Sequence, residues 1–230
     1  MERFGFIAIK LGVICILSFI LQLIYPDIIS LLSLNSARVF EEPWRIATHI
    51  FIHANVRHLL SNMFALFLFG SMAERFAGST KFMRIILASL FLSSLGSVIF
   101  YRETIGISGI VYGIIGYLAV SRPKTIVLAF GVPMYVCIAA LLWIAIDITG
   151  IFYPTPIAHF SHIFGMISGA IFGLGDREWG GKNKRRSDVI TDKEIERWEE
   201  KYMLGNIFHE LLNNNSSVTS FRSIKFKDCF

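Results

Sequence analysis

Between Ile105 and Gly113 the chain reads IGISGIVYG, a serine held between glycines where an apolar helix begins. Small residues at such spacing pack membrane helices closely, so Ser108 is first of all a packing residue. Length argues for more. The apolar run from Gly106 to Val120 has 15 residues, about 22 Å of helix against a hydrocarbon core of about 30 Å. Its inner end is pinned near the interface by SRPK, Ser121 to Lys124. Its outer end therefore stops roughly 8 Å below the outer surface. Ser108 lies in that first turn, submerged.

The surrounding composition supports a membrane setting. The 230 residues are 54% hydrophobic and only 17% charged, with a mean hydropathy of +0.58, too apolar for an ordinary soluble domain. Six apolar runs predict an all-α polytopic membrane protein, a six-transmembrane-helix bundle. They cover about Phe4 to Ile24, His58 to Ala77, Lys81 to Tyr101, Gly106 to Val120, Thr125 to Ile148 and Pro156 to Gly175. The first is read as a span, because no small-residue cleavage site follows it before YPDIISLL.

Charge orients the bundle. With the N-terminus inside, the inner segments hold Arg3, then Arg75, Lys81 and Arg84, then Arg122 and Lys124, then Arg177, Lys182, Lys184, Arg185 and Arg186. The outer ones hold Arg38, Arg45, Arg57 and Arg102. Cytoplasmic loops retain Lys and Arg, so both termini are predicted to be cytoplasmic. The net charge of +5 is this bias plus a basic KNKRR suited to the headgroups of the lipid bilayer, and calls for no nucleic-acid partner. Cys15, Cys137 and Cys229 are too dispersed for a disulfide or metal framework.

Two segments stand apart from the spans. Pro26 to Arg57 mixes Trp44, Ile46, Ile50 and Phe51 with Glu41, Glu42 and Arg45, which predicts an interfacial first loop that does not span. After Gly175 the composition turns charged, with Gly180 and Gly181 as a hinge. Residues 1–178 are thus read as the transmembrane core and residues 179–230 as a cytoplasmic tail. Thr191 and Glu194 resemble a capping box opening a helix from about Asp192 to Leu212.

Polar residues gather at one depth. His162 lies six residues past Pro156 on the sixth span, about 9 Å down from the outer face at helical rise. That is the level of Ser108. His58 and Asn62, spaced i,i+4 on the second span, share one face within its first turns. Ser108, Gly109, Gly113 and Gly116 on the fourth span, with Gly165, Gly169 and Gly173 on the sixth, allow the two backbones to approach closely.

That convergence suits nucleophilic catalysis. A serine hydroxyl needs a base, and neutral imidazole serves near pH 7. The oxyanion formed by attack needs donors, which the first-turn amides of the fourth span, the Asn62 amide and His58 supply. Tyr112, one turn after Ser108, faces the same side and can pack on the imidazole.

WR at Trp44 and Arg45, HANVRHLLSN from His53 to Asn62, AER at Ala73 to Arg75, GISGIVYGIIGY from Gly106 to Tyr117 and HIFGMISG from His162 to Gly169 occur in this order. The stretch from about Phe4 to Gly175 resembles the rhomboid intramembrane serine proteases. The resemblance implies Ser108 as nucleophile and His162 as general base and acid, with His58, Asn62 and the Ser108 amide in the oxyanion hole. It implies supporting places for Tyr112 on His162, for His53 at the head of its motif, and for the tight-packing Gly106, Gly109, Gly165 and Gly169. Trp44 and Arg45 fall in the first loop, and Glu74 ties the inner end of the second span to its neighbours. The implied substrates are single-span membrane proteins, and no cofactor is required.

Other chemistries fit less well. GLGD, Gly173 to Asp176, matches the GxGD of intramembrane aspartyl proteases, whose two carboxylates must nearly touch. Asp147 and Asp176 sit at opposite ends of their spans. His49, His53, His58 and His162 all fall on the outer side, yet HExxH is absent and no zinc-ligand spacing is matched, so no metal is expected. GISGI is also not the GxSxG elbow of soluble hydrolases. Asp147 is the nearest acidic residue, but the reading is of a Ser108–His162 dyad without it. A catalytically inactive rhomboid-like protein that binds transmembrane segments remains the alternative; oligomeric state is not legible.

Overall fold

The structure, a computed structural model, describes residues 5–153 and 155–177. The chain divides into two units, Met1–Trp179 and Gly180–Phe230. The second unit lies outside the described residues, as do the expected tail helix, its capping box, the glycine hinge and Cys229.

Helix α1, Ile7–Ile24, buries Ala8, Gly12, Cys15 and Phe19 along one stripe, flanked by half-buried Ile7 and Leu11, and leaves Ile9, Val13, Leu17 and Ile20 outward. Its first amides have no carbonyl a turn behind them. Glu74 supplies the acceptor, taking hydrogen bonds from the amides of Gly5 at 3.1 Å, Ile7 at 2.9 Å and Ala8 at 3.3 Å. The carboxylate also accepts from the Ser79 hydroxyl at 2.8 Å, so Glu74 ties the start of α1 to the chain around residues 74–79.

The segment after α1 holds short helices α2, Ile28–Leu32, and α3, Arg45–Thr48, the latter running on into a 3-10 turn, His49–Phe51. Arg45 is buried and braces this loop through the carbonyls of Ser30 at 2.8 Å and Ser33 at 2.7 Å and through an ion pair with Glu42. Strand β1, Leu34–Asn35, pairs antiparallel with β2, Glu103–Thr104, placing Leu34 opposite Thr104.

Helix α4, Val56–Ala77, is capped by the Asn55 side chain, which accepts from the His58 amide at 2.9 Å, and carries a π turn at Leu66–Gly70. Helix α5, Ser79–Phe100, follows. Helix α6, Ser108–Ser121, forms the centre of the core, with α7, Val136–Gly150, and α8, His159–Gly175, beside it. Helices α1, α4 and α5 are long and apolar enough to cross a membrane; α6 and α7 are shorter apolar helices.

Three expected boundaries are corrected. The helix of the fifth expected span, α7, begins at Val136 rather than Thr125. Residues before it form a hairpin of β3, Ile126–Ala129, and β4, Val132–Tyr135, with Ile126 opposite Tyr135. Phe130 and Gly131, at φ 54° and 77°, make its turn, and Pro133 could not have continued a helix. The helix of the sixth expected span, α8, starts at His159 rather than Pro156, and that of the fourth, α6, at Ser108 rather than Gly106. Ser108 and His162 therefore both lie in first turns.

Candidate active site

Helices α6 and α8 touch backbone to backbone. A Cβ on Gly165 would strike the carbonyl of Gly109, one on Gly169 the carbonyl of Gly113, and one on Gly173 would lie 2.8 Å from the Tyr117 carbonyl. Each contact joins residues 56 apart in sequence, so the helices run parallel. Their N-termini, each carrying a partial positive charge, lie at the same end. Ser89 and Ser93 of α5 pack against Gly113 and Gly109 along the same seam, and the Ser89 hydroxyl lies 3.5 Å from that of Ser168 on α8, so the three helices meet there.

At that shared end the His162 Nε2 atom lies 2.9 Å from the Ser108 hydroxyl. Tyr112, one turn below Ser108, stacks on the His162 ring, centroids 4.1 Å apart and planes 11° apart. Nδ1 of His162 lies 3.0 Å from Asp147 Oδ1, and Nδ1 of His159 lies 2.6 Å from the same oxygen. Asp147, read from sequence as no part of the serine–histidine pair, thus reaches the imidazole directly. A carboxylate only accepts, so both Nδ1 atoms carry hydrogen. The His162 Nε2 lone pair is then left to face Ser108.

A second polar group borders Gly106, two residues before Ser108. Asn62 is buried, and its Nδ2 has no hydrogen-bond partner. His58 Nδ1 accepts from the Ala54 amide at 3.4 Å, which leaves the ring hydrogen on Nε2, the atom turned to the site. Both side chains border Gly106: a Cβ there would lie 2.8 Å from His58 Cε1 and 3.9 Å from Asn62 Nδ2. Gly106 also has φ 104°, a conformation other residues resist, and its amide donates to the His49 carbonyl at 2.9 Å. Ile110 and Val111 give the first amide bonds of α6, to the Ile107 carbonyl, and the Ser108 amide ahead of them has no carbonyl one turn back.

His53 lies behind His58, ring centroids 5.2 Å apart, fully buried with neither ring nitrogen bonded. Burial, and secondarily the neighbouring His58, pushes His53 down to about 4. Burial alone does the same to His49, down to about 4 against the carbonyl contacts that oppose it. Neither carries charge at neutral pH.

The Rhomboid domain family matches residues 41–178, more than half of the chain. The chain belongs to the rhomboid family. Among similar proteins are the rhomboid protease GlpG of Photorhabdus laumondii, 30% identical over 63% of this chain and 51% of that protein. The GlpG of Haemophilus influenzae is 28% identical over 75% of this chain and 91% of that protein. The GlpG of Yersinia pestis is 26% identical over 80% of this chain and 66% of that protein. The chain spans about half the length of the first of these relatives and just under two thirds of the last.

This rhomboid is an integral membrane protein, and its sequence-predicted site residues come together as one cluster. Ser108, His162, Tyr112, His58, Asn62, His53 and Gly106 all border it, while Gly109, Gly165 and Gly169 make the helix contact beneath. Asp147 and His159 were not expected in the cluster. One signal was available: His159 precedes His162 by three residues, a helical spacing that puts both on one face. Asp147, His159 and His162 also present ligand-type atoms within 4.8 Å of one another. Asp176, at the other end of α8, pairs with Lys81 and accepts from the Tyr117 hydroxyl at 2.8 Å, far from Asp147 along the bundle. Burial opposes its charge, yet these two donors hold the Asp176 carboxyl below the usual carboxylate range.

Proposed function

We propose that this rhomboid is an intramembrane serine endopeptidase that cleaves transmembrane helices of single-span membrane proteins through an acyl-enzyme. The observation that carries the reading is the 2.9 Å approach of His162 Nε2 to the Ser108 hydroxyl, with Nδ1 of the same ring committed to Asp147.

The chemistry runs as follows. Ser108 Oγ attacks the substrate carbonyl while His162 Nε2 takes its proton. The oxyanion is held by the Ser108 amide, Asn62 Nδ2 and the His58 ring, donors already free of other partners at the positive end of α6. His162 then returns the proton to the leaving amine, and the peptide bond breaks to give the acyl-enzyme. A water deprotonated by His162 attacks that ester, and Ser108 recovers its proton.

Orientation follows from charge. The positive-inside bias and the Lys81–Asp176 pair at the far end of the bundle support six spans, cytoplasmic termini and a site opening to the outer side. The chemistry is assigned to residues 1–178, so deleting the chain after Gly181 should leave it active.

Labelling with a serine-directed fluorophosphonate tests the assignment. Wild type should label, and Ser108→Ala and His162→Ala should not, with cleavage of a transmembrane substrate in reconstituted vesicles lost in parallel. A folded wild type that neither labels nor cleaves would establish the inactive, segment-binding alternative.

A further inference from the structure

We infer that Asp147 and His159 are positioning residues for the proposed reaction: the second histidine anchors the carboxylate that sets the tautomer of His162. The inference rests on the Ser108–His162 reading and extends it by a chain of contacts. Thr155 Oγ1 lies 2.7 Å from His159 Nε2, His159 Nδ1 lies 2.6 Å from Asp147 Oδ1, and that oxygen lies 3.0 Å from His162 Nδ1.

The carboxylate fixes the direction of the two central hydrogen bonds. Asp147 accepts from both rings, so both rings are protonated at Nδ1. Thr155 Oγ1, on the far side of the His159 ring, holds its Nε2. His162 is left with its lone pair at Nε2, aimed at Ser108. When His162 takes the serine proton, the carboxylate beside it stabilises the imidazolium.

Both imidazole bonds fall on one carboxylate oxygen, Oδ1, and the Tyr112 hydroxyl is a further partner of the carboxylate. Without His159 the carboxylate has one anchor fewer against a turn about its own side chain. His159 resists that turn and is itself fixed. It is 4% exposed, and its ring fills the space over Gly150, where a Cβ would collide with it. The Gly150 backbone near the end of α7 thus sets the ring, the ring sets the carboxylate, and the carboxylate sets the base.

The same three residues could be thought to hold a metal. The geometry favours hydrogen bonds. Two ligands sharing a tetrahedral zinc at about 2.1 Å lie about 3.4 Å apart, whereas His159 Nδ1 and Asp147 Oδ1 are 2.6 Å apart.

The test uses the full chain in vesicles, reading kcat, KM, fluorophosphonate labelling rate and thermal unfolding. Asp147→Asn, which keeps shape and loses charge, should lower kcat by about 10²- to 10⁴-fold with KM within about twofold, as expected of a wrong tautomer. His159→Leu should lower kcat and labelling rate by about 10- to 100-fold. His159→Asn, whose amide can donate where Nδ1 did, should recover most of that loss. Equal losses in the Leu and Asn variants, or losses that follow only the unfolding temperature, would reduce His159 to a structural residue. An unchanged kcat in Asp147→Asn would remove the carboxylate from the reaction. A labelling rate altered by a zinc chelator would make the group a metal site instead. In each of these cases wild-type labelling at Ser108 would still stand, whereas an unlabelled wild type would end the underlying reading.

Discussion

The carbonyl of Gly113 occupies the place where a side chain on Gly169 would have to go. This contact, repeated a turn above between Gly109 and Gly165, is what brings Ser108 and His162 to one level, since each lies in the first turn of its own helix. The helix packing and the chemistry are therefore inseparable.

Gly169→Ala should accordingly damage both. One added methyl must push α6 and α8 apart, and overpacking of this kind costs about 1–3 kcal/mol. A lowered unfolding temperature together with loss of substrate cleavage is expected. Gly175→Ala, with open space around it, is the control and should change neither by much.

Asn62 tests the donor side. Its Nδ2 is buried with no partner, an arrangement that costs roughly 1–3 kcal/mol in the resting protein and leaves a donor ready for an oxyanion. Asn62→Ala should lower kcat by about 10- to 100-fold, somewhat less than a primary oxyanion donor in a soluble protease. Because the orphaned group is removed, stability should be kept or gained. An unchanged rate would take Asn62 out of the site.

Tyr112 separates ring from hydroxyl. Its near-parallel stacking on His162 holds the imidazole plane, and such ring pairs are worth about 0.5–1.5 kcal/mol beyond their burial. Tyr112→Leu should lower kcat by about tenfold or somewhat more. Tyr112→Phe should stay closer to wild type, and equal losses in the two would assign the effect to the hydroxyl.

What the sequence disclosed depended on scale. Ser108, His162, Asn62 and the glycines were legible because cost singles out polar groups in apolar helices and small residues at four-residue spacing. The hairpin at 126–135 was not, since IVLAFGVPMYV is as apolar as a span and hydropathy averages over it. Gly131 and Pro133 were the available warning, breaker residues inside a supposed helix. His159 was missed, and Asp147 was named as the nearest acid but set aside, for another reason: they meet across the turn between α7 and α8, a contact that spacing within one helix does not display. Depth estimates carried the pairing of Ser108 with His162, although both helices start later than expected.

The buried histidines of the first loop make stability depend on acid. His49 and His53 have an ordinary value of 6.5 when unfolded and about 4 in the fold, chiefly because burial disfavours their charged form. The unfolded chain therefore binds more protons between these values, and stability rises with pH across that window. It should be full above about pH 6.5 and fall steadily as pH drops toward 4, by up to about 3 kcal/mol for each ring. Thermal unfolding measured from pH 7.5 to pH 4 should show the decline. His53→Phe, which removes one titrating ring from a site with no hydrogen bond to lose, should flatten the slope. A slope identical to wild type would mean that His53 is already neutral in the unfolded chain or charged in the folded one.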